Sequence, residues 1–93
     1  MYHVDEFTST WEIMCLIVIQ LMRHPDCALF LHPVDEVMHD VPGYYAVIKH
    51  PMDLGTIRAK LQSNSIPSLE SFVQLVRLVF HNAVLYNKPG DPV

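Results

Sequence analysis

The apolar residues of this 93-residue chain fall into three helical blocks and one long tract that keeps no regular period. In the first block Trp11, Met14, Cys15, Val18, Leu21 and Met22 recur at helical spacing and would form a buried stripe. Ser9 followed by Glu12 matches a capping box, Thr10 is the alternative cap, and Pro25 stops the helix just after His24. Leu16, Ile17 and Ile19 widen the stripe, and the Ile and Val content also suits a strand; the length of the block favours the helix. A second helix is expected from Asp53, whose carboxylate can cap the amides beyond it, to about Gln62. Leu54, Ile57 and Leu61 would face inward, with Arg58 and Lys60 toward water. A third starts after Ser68, with Glu70 in the favoured first turn, and runs to about Tyr86. Its stripe of Phe72, Leu75, Val76, Val79, Phe80, Ala83 and Val84 is the clearest in the chain. Leu78 and Leu85 lie off that stripe, so this helix has apolar surface left over, and a further helix after Val93 would bury it.

The tract from Asp26 to about Met52 contains Pro33, Pro42, Gly43 and Pro51, which rule out one continuous helix. It is nonetheless rich in large apolar residues, from Leu29, Phe30 and Leu31 through Val34, Val37, Met38 and Val41 to Tyr44, Tyr45, Val47 and Ile48. A solvated linker would be polar. This tract must fold down onto the helices, and long ordered loops of that kind usually carry function. A short helical turn is expected around Tyr44 to Lys49.

Composition narrows the picture further. With 51% apolar residues a single small domain with a real core is expected. The net charge of -4 is uneven: Arg23 is the lone basic residue before Val41, against Asp5, Glu6, Glu12, Asp26, Asp35, Glu36 and Asp40. An acidic front half disfavours a phosphate backbone as main partner and suits a basic peptide. Ile13 to Ile19 is the longest apolar patch, far too short to span a membrane, and Met1 is followed by polar and acidic residues rather than a basic signal-peptide start. Cys15 and Cys27 read as small buried residues, with a disulfide the alternative, and a reducing compartment is the default.

Candidate chemistry is sparse. His3, His24, His32, His39, His50 and His81 show no metal-ligand spacing and read as scattered loop or surface residues, so no metal site and no cofactor are expected. Neither a nucleophile–base constellation nor a glycine-rich phosphate loop is present, which argues against an enzyme. Asn87, where the third helix stops, is sharper. It suits a simple C-cap, or an amide donor aimed into a pocket with apolar walls from the long loop.

Three tracts resemble the bromodomain family: LFLHPVDEV (29–37), VPGYYAVIKHPMDLGTIRAKL (41–61) and FHNAVLYNKPGDPV (80–93). The resemblance implies an all-α, left-handed four-helix bundle with a long structured loop after its first helix. It implies one domain over 1–93, cut before the last helix of the family. The implied function is that of a chromatin reader binding acetyl-lysine, foremost in histone tails, in the nucleus. The alternative is an interaction scaffold of the same fold with weak or no acetyl-lysine binding. By position, Asn87 resembles the asparagine that donates to the acetyl carbonyl, and Tyr44 the tyrosine that reaches it through water. Phe30 and Val34 resemble the pocket floor and wall, Val37 and Val41 the apolar flanks, Tyr86 a further wall, and Val93 the residue at the mouth. Tyr45 is expected to support the loop. Many members carry Trp-Pro-Phe where this chain has Ala28-Leu29-Phe30, so the aromatic shelf is absent. The implied partners are acetylated protein peptides. No sequence-specific nucleic acid and no membrane is expected, and self-association through the bare face of the third helix would follow if the last helix is missing.

Overall fold

The computed structural model describes residues 9–87. They form α1 (Thr10–Arg23), a 3-10 helix (Pro25–Phe30), α2 (Tyr44–Val47), α3 (Leu54–Gln62) and α4 (Leu69–Tyr86), with no strand among the described residues. The three helices expected from periodicity are α1, α3 and α4, and α2 is the short turn expected inside the loop.

The boundaries follow from side chains that satisfy otherwise unpaired helix-end groups. Ser9 Oγ accepts from the Glu12 amide, and the Glu12 carboxylate accepts from the Ser9 amide, both at 3.1 Å. Pro25 opens the 3-10 helix, and His24 leaves α1 in an extended conformation. Asp53 caps α3 through the amide of Thr56 at 2.8 Å and its hydroxyl at 2.6 Å. Ser68 caps α4 through the amide of Ser71 at 3.1 Å. At the far end of α3, Asn64 takes a left-handed conformation, and the amides of Asn64 and Ser65 return to the carbonyls of Leu61 and Lys60.

The core is built by Met14 and Val18 from α1, Cys27, Leu54, Ile57 and Leu61 from α3, Ile66, and Phe72 and Val79 from α4. Cys27 is buried, Cys15 is half-buried, and both are free thiols. Burial pushes the Cys15 thiol above its ordinary range.

Two residues sort differently from their expected stripe. Trp11 is 43% exposed, and its indole Nε1 donates to the Leu61 carbonyl at 2.7 Å across the end of α3. Val84 is exposed, while the polar Asn82 is buried with its amide on the His50 carbonyl at 2.8 Å. Leu69, Val73, Val84 and Leu85 leave apolar surface on α4, and Ile17 leaves some on α1. No helix among the described residues is long and apolar enough to cross a membrane.

Gly55 sets the height of the long loop over α3. Its amide donates to the Leu31 carbonyl at 3.1 Å, and a Cβ there would fall inside the 3.0 Å that such atoms do not cross. The loop backbone can therefore lie directly on the first turn of α3.

Candidate ligand-binding cleft

The loop between the 3-10 helix and α2 is held by its own polar groups. Asp35 Oδ1 accepts from the amides of Val37 and Met38 at 3.0 and 2.9 Å. Those bonds hold the Asp35 carboxyl below its usual range, with the His39 side chain adding a minor push in the same direction. The Val41 amide returns to the Glu36 carbonyl at 3.0 Å, and the Glu36 carboxylate accepts from the Tyr45 amide at 2.9 Å. The Tyr45 hydroxyl donates to the Val34 carbonyl, a loop-supporting role. Asp40 and Gly43, both at positive φ, turn the chain back toward α2.

The end of α4 is fastened to this loop. The Tyr86 hydroxyl donates to the Pro42 carbonyl at 3.0 Å, and its ring lies 5.2 Å from that of Tyr44. Phe30 meets Phe80 edge to face at 5.3 Å, which fixes the floor.

Between loop and helix end lies a cavity of about 130 Å³. At roughly 30 Å³ per water, that is room for about four waters, or for a small amide and one or two waters. Phe30, Val34, Val41, Tyr44, Tyr86 and Asn87 all line it. Val37 does not: it is 92% exposed on the outer side of the turn. Val93 lies outside the described residues.

Residues that the sequence reading left out also line the cavity. Val79 and Ala83 lie eight and four positions before Asn87 on α4, a helical spacing that marks a shared face. Met52 and Asp53 contribute from the start of α3. His32 and His39, read from sequence as scattered loop or surface histidines, line the loop side.

Tyr44 and Asn87 are among the polar residues that line the cavity. Tyr44 is buried, and burial pushes its phenol above the ordinary range, with Tyr45 adding to the shift. It therefore keeps its proton at neutral pH. Its hydroxyl has no hydrogen-bond partner among the described residues. Asn87 fulfils the capping role, since its backbone amide and Nδ2 both donate to the Ala83 carbonyl, at 3.1 and 2.9 Å. A carboxamide nitrogen carries two hydrogens, so one remains for another acceptor. Among the described residues no group of three or more His, Cys, Asp or Glu side chains is placed to hold a metal.

The described residues form a helical bundle whose long loop closes a small cavity against one helix end. The bromodomain family model matches residues 12–93, and the chain belongs to that family, whose members are acetyl-lysine readers in chromatin factors. It is 49% identical over 72 residues, or 77% of its length, to transcription factor GTE11 of Arabidopsis thaliana, covering 12% of that protein. It is 50% identical over 64 residues, or 69% of its length, to the SWR1 complex bromodomain subunit bdf1 of Schizosaccharomyces pombe, covering 11%. The chain thus spans about one-eighth or less of these relatives. Among solved structures, the second bromodomain of Candida albicans Bdf1, bound to an imidazopyridine, superposes with a TM-score of 0.73. That structure is 38% identical, with 87% of this chain and 80% of that one covered.

Proposed function

We propose that the cleft binds an acetylated lysine side chain presented by a histone tail or another nuclear protein, so that the chain acts as a reader in chromatin. The observation that carries this reading is the pairing of two donors, the second Asn87 amide hydrogen and the Tyr44 hydroxyl, with the apolar wall formed by Phe30, Val34, Val41, Val79 and Ala83. Asn87 would donate to the acetyl carbonyl directly and Tyr44 through a water. Val34, Val41 and Phe30 would enclose the methyl and the aliphatic stem.

Discrimination against unmodified lysine follows from charge. An ammonium in the cavity would need a free carboxylate. Asp53 is the carboxylate among the lining residues, and it is buried with its oxygens turned to the Thr56 amide and hydroxyl in the α3 cap. The relatives named for transcription and chromatin complexes support a nuclear role, and the acidic loop residues Asp35, Glu36 and Asp40 suit a basic peptide.

The scaffold reading is favoured by one observation. Ala28 stands where many members place the tryptophan shelf, and the neighbouring Leu29 at the cleft is 76% exposed. Titrating acetylated and unmodified histone-tail peptides separates the two readings. Wild-type protein should bind the acetylated peptide alone. Asn87→Ala should weaken that binding about tenfold or more, because a buried carbonyl left unpaired costs about 1–3 kcal/mol. Equal binding of both peptides, or full binding by a folded Asn87→Ala variant, would refute the reading.

A further inference from the structure

The loop wall of the cleft carries a titratable ring that a site for a neutral amide does not need. His39 lines the cavity, and two bonds of opposite sense fix it in its turn. The His39 amide donates to the Asp35 carbonyl at 2.9 Å, and the Asp35 amide donates to His39 Nδ1 at 3.0 Å. An imidazole nitrogen accepts only while it carries no proton, so the proton of the neutral ring sits on Nε2. Val34 and Val41 flank this turn and are themselves cavity wall, so the Nδ1 bond lies in the stretch of backbone that shapes the site.

We propose that His39 is a specificity-determining residue of the cleft: its neutral, Nε2-protonated ring holds the wall that admits an acylated basic peptide, and its imidazolium form opposes that ligand. The inference rests on the acetyl-lysine reading of the cavity. Protonation places a hydrogen on Nδ1 where the Asp35 amide hydrogen already points. Two donors then face each other, and the ring or the turn must move. Asp35 lies in the same turn and attracts the imidazolium, which favours a swing of the ring toward that carboxylate and out of the wall. Glu36 and Asp40 are its neighbours along the loop. The other ionisable groups on the cavity are His32, Asp53, Tyr44 and Tyr86, and neither Lys nor Arg lines it among the described residues. The Asp53 carboxylate is oriented by its bonds to Thr56 in the α3 cap. A ligand with lysine or arginine beside its acetyl-lysine meets the imidazolium charge directly.

Calorimetric titration of an acetyl-lysine peptide with basic flanks, at about pH 7.5 and about pH 5, spans the range in which histidines ordinarily charge. Wild-type affinity should fall by about three- to tenfold at the lower pH, the factor carried by one neutral hydrogen bond. His39→Leu, checked for folding by circular dichroism at both pH values, should give a flat profile. His81→Gln, on the exposed side of α4 and outside the cavity lining, should keep the wild-type slope. A flat wild-type profile, or a His39→Leu profile as steep as wild type, overturns the proposal. Failure of wild type to bind at the higher pH overturns the reading of the cleft and this inference with it. Nitrogen–proton correlation spectra of the free protein give a ligand-independent check: His39 should show an unprotonated Nδ1 and a protonated Nε2, and the reverse tautomer refutes the assignment.

Discussion

Replacing Gly55 with alanine sets two physical effects against each other. Gly55 is the second residue of α3, and by helix propensity alone alanine should stabilise by up to about 1 kcal/mol. The new Cβ, however, would fall inside 3.0 Å of the Leu31 carbonyl, a backbone atom that cannot rotate away, and would crowd Asp53 Oδ2 at 3.1 Å. Overpacking of this kind costs about 1–3 kcal/mol. Lifting the loop also breaks the bond from the Gly55 amide to the Leu31 carbonyl, worth about 0.5–1.5 kcal/mol. The steric and hydrogen-bond terms win, for a net destabilisation of about 1–3 kcal/mol. In a domain of this size each kcal/mol lowers Tm by about 4–8 °C. Urea denaturation followed by far-UV circular dichroism measures the change directly. Because the lifted segment leads into His32 and Val34 of the cavity, acetyl-peptide affinity should fall as well. A Gly55→Ala variant as stable as wild type, or more stable, would show that the loop does not rest on α3 at this point.

Two further outcomes follow from the loop and its ties. Tyr86→Phe removes the hydroxyl that reaches the Pro42 carbonyl, so stability should drop by about 0.5–1.5 kcal/mol in denaturant melts, and peptide dissociation should quicken as the loop loosens. The Asp35 carboxyl is held low by the Val37 and Met38 amides, so its contribution to folding is present above the unfolded carboxylate range and is lost as pH falls through its lower folded value. Stability measured from about pH 5 downward should therefore decline less steeply in Asp35→Asn than in wild type, and parallel curves would remove Asp35 from the loop's support.

The limits of each helix were legible because capping is local: Ser9, Pro25, Asp53 and Ser68 act within a turn of themselves. Periodicity located the inward face of α1 and α4 but not how far that face is covered. Trp11 sits at the edge of its stripe and reaches a carbonyl fifty residues away, and the sequence near Trp11 gives no sign of that partner. Val84 lies on a side of α4 where no described element packs. The α4 half of the cavity was within reach of sequence reasoning, since Val79 and Ala83 share a face with Asn87. The loop half was not. Left-handed residues at Asp40 and Gly43 shape the turn, in which Val37 faces solvent and the exposed His39 borders the cavity; alternation along a loop carries no such information.

The one tryptophan of this chain stands at the junction of α1 and α3, its indole bound to the end of a helix, while the shelf position beside the cleft holds Ala28 and Leu29. Its fluorescence is therefore tied to the docking of those two helices and insulated from the ligand. Intrinsic emission should report global unfolding with a large signal and remain nearly silent on peptide binding, so that stability and occupancy can be followed in one cuvette by separate optical channels.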